Sequence, residues 1–385
     1  MTFSDKRKKK KRTILLYAAS EIDANMLYAT NFHAPDPFIF IKTAQGKRVL
    51  VMSDLEIDRA KATSNAHSVL SLTRYTELAK KRLGRKSTHI SDVISEVCRD
   101  LGIRSVTVPE SFPLSVADRL RKHRIRVSSQ PDPFFPERLF KTAMEIQEIR
   151  KAMRACEAGM QSAVDILRKS KIRKGLVEFQ GKRLTAELLK RQINSIVFDL
   201  GYLPSRTIVA AGKHGCDPHD EGCGPIPAHS PIIVDIFPRS DKSGYYGDIT
   251  RTFVKGKASD RVKKMFRAVF EGQKWALQSI RHGAKAKEIH RTILDLFDKR
   301  GFPTGEIEGR MQGFFHGTGH GLGLEIHEPP RIAINEIVLL KGMVVTVEPG
   351  LYYYPTGGVR IEDTVLVTKT GIKNLTRFPK YLEIA

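Results

Sequence analysis

Two aspartates lie at the ends of neighbouring apolar segments, and they are the first residues whose types and spacing suggest chemistry. Asp235 belongs to the apolar run 232–236, and Asp248 precedes a second strand-like segment after a short polar loop that contains glycine. Aspartate is disfavoured in strands, and adjacent strands of a hairpin lie about 4.8 Å apart. Both carboxylates could therefore reach one cation or two neighbouring cations. The alternative is a pair of ordinary turn aspartates at strand ends.

A second segment combines histidine with glycine. His316, His320 and His327 fall within twelve residues that also contain four glycines. Glycine permits close backbone approach, which suits a wall around an ion or substrate. It also opposes the helix on which an HExxH zinc motif depends. A lone histidine would more often be a structural residue, but three in this setting favour a site.

The third segment lies near the C-terminus and contains Glu348, Arg360 and Glu362. Glu348 ends an apolar strand-like run, where an unpaired buried carboxylate would be costly. Arg360 and Glu362 are two residues apart, so they share a face if both lie in one strand. A structural salt bridge between Arg360 and Glu362 is the competing interpretation.

Together the three segments offer four carboxylates and one imidazole as candidate metal ligands: Asp235, Asp248, His320, Glu348 and Glu362. Four converging carboxylates repel one another, and some would take up protons unless a counter-charge were present. Two divalent cations would balance the charge. An oxygen-rich set with one imidazole suits manganese, with cobalt, zinc and iron as alternatives. Two such ions can supply a nucleophile and polarise a scissile carbonyl.

The chain that positions these residues has 385 residues, of which 41% are hydrophobic and 28% charged. This length predicts about two domains, and the composition excludes collagenous and globally disordered classes. No apolar run approaches the ~20 residues of a membrane-spanning helix. The four scattered cysteines fit neither a disulfide framework nor a CxxC zinc site. We expect Cys216 and Cys223 to be packing or loop thiols rather than a reactive pair.

The charge balance is strongly basic, because 65 lysines and arginines stand against 42 acidic residues and give a net charge of +23. The run from Lys6 to Arg12 carries seven of the positive charges. A nucleic acid or an anionic surface could use such a field, but a disordered tail and a well-solvated basic face are the interpretation we favour. The apolar segment 13–19 is followed at once by Glu21 and Asp23, which predicts a β-strand rather than a signal peptide.

A proline-rich joint at residues 131–136 separates a predicted α/β domain over 1–135, with its basic tail, from a second domain over 136–385. In the first domain, residues 38–41 and 49–52 flank a short polar turn and predict a β-hairpin. In the second, periodicity predicts helices over about 141–169, 185–200, 259–281 and 286–300. Strands are predicted over 232–236, 245–254, 344–348 and 359–368. The predicted fold class is α+β.

In its motifs and their order the sequence resembles the pita-bread metallopeptidase family, specifically the branch of Xaa-Pro aminopeptidases and prolidases. The matching stretches are Asp235, Asp248-Ile-Thr-Arg-Thr, His316-Gly-Thr-Gly-His320, Leu324-Glu-Ile-His327-Glu, Thr346-Val-Glu348-Pro-Gly and Val359-Arg-Ile-Glu362-Asp. The resemblance is specific from about residue 141 to the C-terminus, where it implies a pita-bread catalytic domain. It is looser before residue 135, where it implies a shortened creatinase-like domain.

The resemblance implies a role for each candidate ligand. Asp235 would bind one metal ion, while Asp248 and Glu362 would bridge both ions. His320 and Glu348 would complete the coordination of the second ion. Glu348 would also relay protons during the reaction.

Four further residues receive roles from the same resemblance. His219 matches a histidine near the leaving-group and oxyanion region, and His327 matches one that contacts the substrate and stabilises the tetrahedral intermediate. His316 would lie in the same pocket, and Arg360 would orient a ligand carboxylate. One departure is a slightly longer loop between the two aspartates, at residues 239–244, which should leave metal binding intact but could change access to the pocket.

These features predict a two-metal hydrolase that cleaves Xaa-Pro bonds at peptide N-termini, an Xaa-Pro aminopeptidase. A prolidase-type Xaa-Pro dipeptidase is the alternative, and it would need a cation for the carboxylate of the substrate, for which Arg331 is a candidate. A non-catalytic binding protein on the same fold is less favoured, because all five ligand positions are filled. We also expect a proline-containing peptide as substrate, a homodimer, a cytoplasmic location and no membrane association, with nucleic acid a less favoured partner.

Overall fold

The computed structural model describes residues 12–385, so the basic run before Arg12 and the prediction made for it lie outside the described residues. The chain forms two compact units, of which one ends at Pro136 and the other runs from Glu137 to Ala385. Within residues 12–385, none of the helices combines the length and the apolar character needed to cross a membrane.

The first unit combines a six-stranded sheet with helices, and its elements are β1 (Ile14–Ala18), β2 (Phe38–Lys42), β3 (Arg48–Met52), β4 (Ser68–Ser71), β5 (Ser105–Pro109), β6 (Arg126–Gln130), α1 (Ala24–Thr30), α2 (Ile57–Thr63), α3 (Leu72–Leu83), α4 (Ile90–Asp100) and α5 (Leu114–Lys122). The strand order is β4-β3-β2-β1-β5-β6. The predicted first strand is confirmed as β1, and the predicted hairpin is confirmed as β2 and β3. Alternate side chains of these strands enter two different apolar clusters, so the sheet is buried on both faces.

The second unit contains the helices α6 (Ala143–Lys169), α7 (Ala186–Asp199), α8 (Asp260–Ser279) and α9 (Ala286–Lys299). Its strands are β7 (Lys171–Arg173), β8 (Leu176–Phe179), β9 (Lys182–Arg183), β10 (Tyr202–Leu203), β11 (Ile208–Ala211), β12 (Pro231–Ile236), β13 (Arg239–Ser240), β14 (Ile249–Lys255), β15 (Gly305–Ile307), β16 (Arg310–Gln312), β17 (Gly319–Gly321), β18 (Glu328–Ile332), β19 (Val344–Val347), β20 (Gly350–Tyr353), β21 (Gly357–Arg360), β22 (Asp363–Val367), β23 (Ile372–Asn374) and β24 (Glu383–Ile384). All four helices predicted for this unit are confirmed, with ends that differ by one or two residues.

The second unit contains two larger sheets, a separate hairpin and three further sheets of two or three strands. One of the larger sheets has the order β11-β12-β14-β24, the other has the order β18-β17-β19-β22-β23, and β20 pairs with β21 as the separate hairpin. Apolar residues of α6 and α7 share a buried cluster with the first sheet, and those of α8 and α9 share one with the second sheet. Each of the larger sheets is therefore covered by its own helix pair.

The N-terminus of α6 shows why the helix begins two residues later than the apolar periodicity predicts. Thr142 caps the helix by accepting the backbone N–H of Glu145 on its hydroxyl, and the Glu145 carboxylate accepts the backbone N–H of Thr142. This reciprocal arrangement satisfies two N–H groups that have no partner within the helix. Lys141 therefore lies outside the helix.

Two strand predictions need correction. The strand predicted over 245–254 begins only at Ile249, so Asp248 lies just before it. The single strand predicted over 359–368 is wrong, because β21 ends at Arg360, β22 begins at Asp363 and the two belong to different sheets. Between them the backbone N–H of Glu362 donates to the Thr250 carbonyl at 3.0 Å, so it bonds to β14 rather than continuing the β21 pairing.

Candidate metal centre

The fold brings the five candidate ligands from distant segments to one cavity of about 530 Å³. Each lies at or near the end of a strand or between strands: Asp235 in β12, Asp248 before β14, His320 in β17, Glu348 after β19 and Glu362 between β21 and β22. Four of the five residues are buried, and the Glu348 side chain is 18% exposed.

The hairpin considered for the two aspartates is present. Strands β12 and β14 are antiparallel, with Asp235 opposite Thr250. Side chains two residues apart point to one face of a strand, and along this face the Thr250 hydroxyl donates to Glu362 Oε2 at 2.8 Å. Arg251 is fully buried and donates to the Glu362 carbonyl at 2.5 Å. The Asp-Ile-Thr-Arg-Thr motif therefore holds Glu362 by both its side chain and its backbone.

His320 is oriented by its neighbours in the second sheet. A Cβ atom on Gly319 would lie 1.9 Å from the Thr346 carbonyl oxygen, so glycine is needed for β17 to approach that residue. The backbone N–H of His320 donates to the Thr346 hydroxyl, and its ring Nδ1 donates to the Gly321 carbonyl at 3.1 Å. The other ring nitrogen, Nε2, is left 3.3 Å from a carboxylate oxygen of Glu348. This geometry leaves Nε2 available as a ligand.

Burial and mutual repulsion keep this cluster from being fully charged by itself. Burial, together with the charges of the neighbouring carboxylates, raises the pKa of both Asp248 and Glu362 well above the ordinary range. Burial also raises the pKa of Glu348 to about 7, against an opposing effect of the Arg360 charge. The pKa of His320 is lowered to about 3, chiefly by burial. A cluster of this kind needs added protons or added cations.

The residues fit divalent cations. Asp235 Oδ1 and Glu362 Oε1 are buried and have no hydrogen-bond partner among the described residues. Ligand atoms of Asp248, His320 and Glu362 lie within 4.8 Å of one another. Carboxylate oxygens that accept no hydrogen bond therefore converge beside a neutral imidazole nitrogen. These are the ligand atoms that a hard or borderline divalent ion requires.

The raised carboxyl pKa values predict how the metal-free protein responds to pH. A folded-state pKa above the unfolded one means that the folded state binds more protons, so stability falls as pH rises between the two values. For Glu348 that window runs from 4.5 to about 7, and its contribution is on the order of 3 kcal/mol. Over the same pH range the lowered pKa values of His316 and His320 change stability in the opposite direction, so the Glu348 contribution is isolated by comparing wild type with Glu348→Gln. In chelator, we expect urea unfolding to show that the stability of wild type relative to Glu348→Gln falls from pH 5 to pH 7. Excess manganese should reverse this trend, because metal binds the deprotonated ligands. A wild-type stability that rose relative to the variant over this window in chelator would contradict the assignment.

Arg360 pairs with Asp235 instead of Glu362, so the competing salt bridge is not formed. Its Nη2 atom donates to Asp235 Oδ2 at 2.6 Å, and its Nη1 atom donates to the Tyr352 hydroxyl at 2.9 Å. Tyr352 in turn donates to His316 Nε2 at 2.9 Å, because His316 Nδ1 is occupied by the Gly317 carbonyl. Burial lowers the pKa of His316 to about 3, which keeps the imidazole neutral. The sequence analysis did not single out Tyr352, because a tyrosine in an aromatic strand does not by itself indicate that it links Arg360 to His316.

The remaining predicted residues line the same cavity. The ring of His327 packs edge-on against that of His320, with centroids 4.4 Å apart, and burial lowers the pKa of His327. His219 is exposed and its backbone N–H donates to Asp217. Arg331, in β18, also lines the cavity. Residues 239–244, the longer loop, are not among the lining residues, because two of them form β13 and pair with β10.

A buried charge cluster lies beside the His327 segment, and sequence reasoning missed it. Lys141 Nζ donates to Glu328 Oε1 at 2.5 Å, and Arg138 donates to Glu328 Oε2 at 2.7 Å. Arg138 also pairs with Glu325, whose side chain is 52% exposed. The cationic and acidic members are separated by about 190 residues in the chain, so no local pattern could pair them.

The sequence is similar to those of known peptidases. A model described as metallopeptidase family M24 matches residues 147–369. An Xaa-Pro dipeptidase of Pyrococcus horikoshii is 33% identical over 288 residues, which cover 73% of this chain and 75% of that protein. An Xaa-Pro dipeptidase of Pyrococcus furiosus is 34% identical over 64% of this chain and 65% of its own length.

Solved structures give the same result for the fold. A prolidase from Pyrococcus horikoshii OT3 has a TM-score of 0.76 at 27% identity and covers 96% of this chain and 94% of that one. An X-Pro aminopeptidase from Thermotoga maritima has a TM-score of 0.79 at 24% identity, with 97% of both chains covered. The predicted α+β fold with a pita-bread catalytic domain is confirmed. The chain belongs to metallopeptidase family M24.

Proposed function

We propose that this metallopeptidase hydrolyses Xaa-Pro dipeptides with two divalent ions, manganese being the preferred metal. The observation that carries the proposal is that Arg331 lines the same cavity as the carboxylate cluster and gives its wall a positive charge. A dipeptide presents its C-terminal carboxylate one residue beyond the scissile bond, and a guanidinium can bind that carboxylate through two hydrogen bonds. A longer peptide has no charge at that position.

The dipeptidase proposal replaces the sequence-based preference for an aminopeptidase. The two relatives described above are named Xaa-Pro dipeptidases and are at least 33% identical to this chain. The aminopeptidase from Thermotoga maritima is 24% identical, which bears on the fold alone. Homodimer formation, a cytoplasmic location and the less favoured nucleic-acid partner stay predictions.

In the proposed enzyme the two ions would be held by the five converging residues, Asp235, Asp248, His320, Glu348 and Glu362. When bound, divalent ions polarise the scissile carbonyl and lower the pKa of water. Arg360 donates to Asp235 Oδ2 and so leaves Oδ1 of that carboxylate to face a cation. This hydrogen bond from Arg360 fixes the orientation of the Asp235 carboxylate, and with it the direction in which Oδ1 can bind a metal ion.

Proton transfer and substrate contacts fall to other groups. Burial raises the pKa of the Glu348 carboxyl in the metal-free protein, and bound cations would lower it again. As a carboxylate on the wall of the cavity, Glu348 would accept and return protons during the reaction. His327, with its lowered pKa, is a neutral imidazole at that pH and can donate a hydrogen bond to a developing oxyanion. His219, on the exposed side of the cavity, would contact the leaving-group portion of the substrate.

Replacing Arg331 tests the substrate class. We expect wild-type kcat/KM to be higher for an Xaa-Pro dipeptide than for the matching dipeptide amide or an Xaa-Pro tripeptide. Arg331→Ala should lower kcat/KM for the dipeptide by roughly 10- to 100-fold, because a charge-assisted hydrogen bond contributes about 1.5–3 kcal/mol. The values for the amide should change little. Arg281→Ala, at an exposed arginine that does not line the cavity, is the matched control. Equal cleavage of dipeptide and tripeptide, with Arg331→Ala affecting both alike, would favour the aminopeptidase.

A further inference from the structure

A cysteine, a histidine and an aspartate on the segment between β11 and β12 contact one another in succession. The sulfur of Cys223 lies 3.6 Å from His214 Nε2. On the opposite side of the ring, His214 Nδ1 lies 2.7 Å from Asp220 Oδ2. The aspartate accepts only, so Nδ1 carries the proton and Nε2 is free to accept the thiol proton of Cys223. The order thiol, imidazole, carboxylate is the arrangement that activates a nucleophilic cysteine.

Surrounding contacts hold this segment in place. The second oxygen of Asp220 accepts the backbone N–H of Gly222 at 2.7 Å, and Lys190 Nζ donates to the Gly222 carbonyl at 3.0 Å. Gly222 has a φ of +74°, and a Cβ atom there would lie 1.9 Å from the Val209 carbonyl oxygen. The residue before Cys223 must therefore be glycine, and its tight packing against β11 fixes where the thiol sits.

Cys223 differs in its surroundings from the other cysteines of the chain. Cys98 and Cys156 are buried, and burial raises the pKa of both thiols. Cys216 is half-buried, its pKa is raised mainly by burial, and its S–H donates to the Tyr353 carbonyl. Cys223 is exposed and has an imidazole beside its sulfur. Reactive thiols occur in such accessible sites with a basic neighbour, whereas buried thiols are inert.

We propose that Cys223 is a site of reversible thiol–disulfide exchange with small disulfides, with His214 as the base and Asp220 as the group that orients it. The Cys223 thiol gives its proton to His214 Nε2, and the thiolate attacks one sulfur of the disulfide. The S–S bond of the small molecule breaks as the Cys223 mixed disulfide forms. The released thiolate takes the proton from the imidazolium, so a thiol leaves and the histidine is neutral again. The disulfide is the oxidant and the cysteine is oxidised.

Two other uses of the same residues fit less well. A metal ion at this point would have two ligand atoms from the described residues, Cys223 Sγ and His214 Nε2, whereas structural zinc sites use four. A second peptidase centre would need a substrate cavity, but neither the catalytic cavity nor the one beside it is lined by Cys223 or His214. An exposed thiol outside a cavity suits a small, freely diffusing reagent. We therefore favour covalent modification of Cys223 over a second catalytic centre at this position.

The test measures thiol reactivity in the metal-loaded full-length protein. At pH 7, 2,2′-dithiodipyridine releases a chromophore as each thiol reacts, and peptide mapping identifies which cysteine carries the adduct. We expect one fast phase, mapped to Cys223, at least tenfold faster than the reaction of Cys216 and absent in Cys223→Ser. His214→Gln should slow that phase about tenfold, and Asp220→Asn should slow it by a smaller factor.

His67→Gln, at an exposed histidine of the other unit, is the matched control and should keep the wild-type rate. Circular dichroism of each variant establishes that it is folded, and the two independent substitutions keep the test valid if one of them unfolds the segment. A fast phase that maps to Cys216 would overturn the proposal. So would a Cys223 rate that is the same in wild type, His214→Gln and Asp220→Asn.

Discussion

Asp248→Asn should abolish peptidase activity and at the same time stabilise the metal-free protein. The carboxylate is buried among other carboxylates, which raises its pKa well above the ordinary range. The neutral amide removes that repulsion, so in chelator the variant should unfold at a higher temperature than wild type. If Asp248 is one of the residues that would hold the metal ions, its replacement should lower kcat/KM for an Xaa-Pro substrate by about a thousandfold or more, since metal ions supply several kcal/mol of transition-state stabilisation.

Metal content separates this explanation from simple misfolding. In wild type, added manganese should raise the unfolding temperature, because an ion that binds only the folded state stabilises it. In Asp248→Asn the same addition should have little effect, and bound metal per chain should fall. Asp241→Asn, at an exposed aspartate of the neighbouring loop, should behave like wild type in every measurement. A variant that kept full activity and metal content would rule out Asp248 as a ligand.

Glu328→Ala should produce the largest loss of stability of the substitutions considered. The Lys141 side chain is 2% exposed and that of Glu328 is 3% exposed, and Arg138 shares the same carboxylate. Removing one partner of a buried ion pair leaves an uncompensated charge, at a cost of about 3–5 kcal/mol. Denaturant unfolding of the metal-loaded protein should show this loss as a lower midpoint with little change in slope.

Two related substitutions make the interpretation specific. Glu325→Ala removes an acidic partner of the same Arg138 at the exposed edge of the cluster, where ion pairs are worth about 0–1 kcal/mol. Lys141→Met leaves Glu328 still paired with Arg138, so its loss should be smaller than that of Glu328→Ala. If Glu325→Ala and Glu328→Ala lowered the free energy of unfolding equally, burial would not explain the contribution of this cluster to stability.

The candidate metal ligands could be named from the sequence because metal-binding chemistry resides in residue types. Asp235, Asp248, His320, Glu348 and Glu362 were predicted as ligands, and the structure places all five around one cavity. The helices of the second unit were predicted to within one or two residues. Helical periodicity is a local property of the chain, and so is the strand–turn–strand pattern of a hairpin.

Tertiary structure alone decided which groups contact one another. The stretch 359–368 reads as one strand because it is rich in β-branched residues and contains neither glycine nor proline. The break before Asp363 arises because β21 pairs with β20 and β22 pairs with β19. Pairing with partners elsewhere in the chain is not encoded in the local pattern.

The same reason explains the charge pairs. Arg360 binds Asp235, 125 residues away, and Lys141 binds Glu328, 187 residues away. The chain makes these contacts only once sheets and helices have packed, and burial then decides what they are worth. The sequence by itself therefore determined which atoms were available for metal binding and hydrolysis. The packing of distant segments determined how the carboxylates and histidines are protonated and oriented. It also determined which arginine or lysine side chain binds each carboxylate.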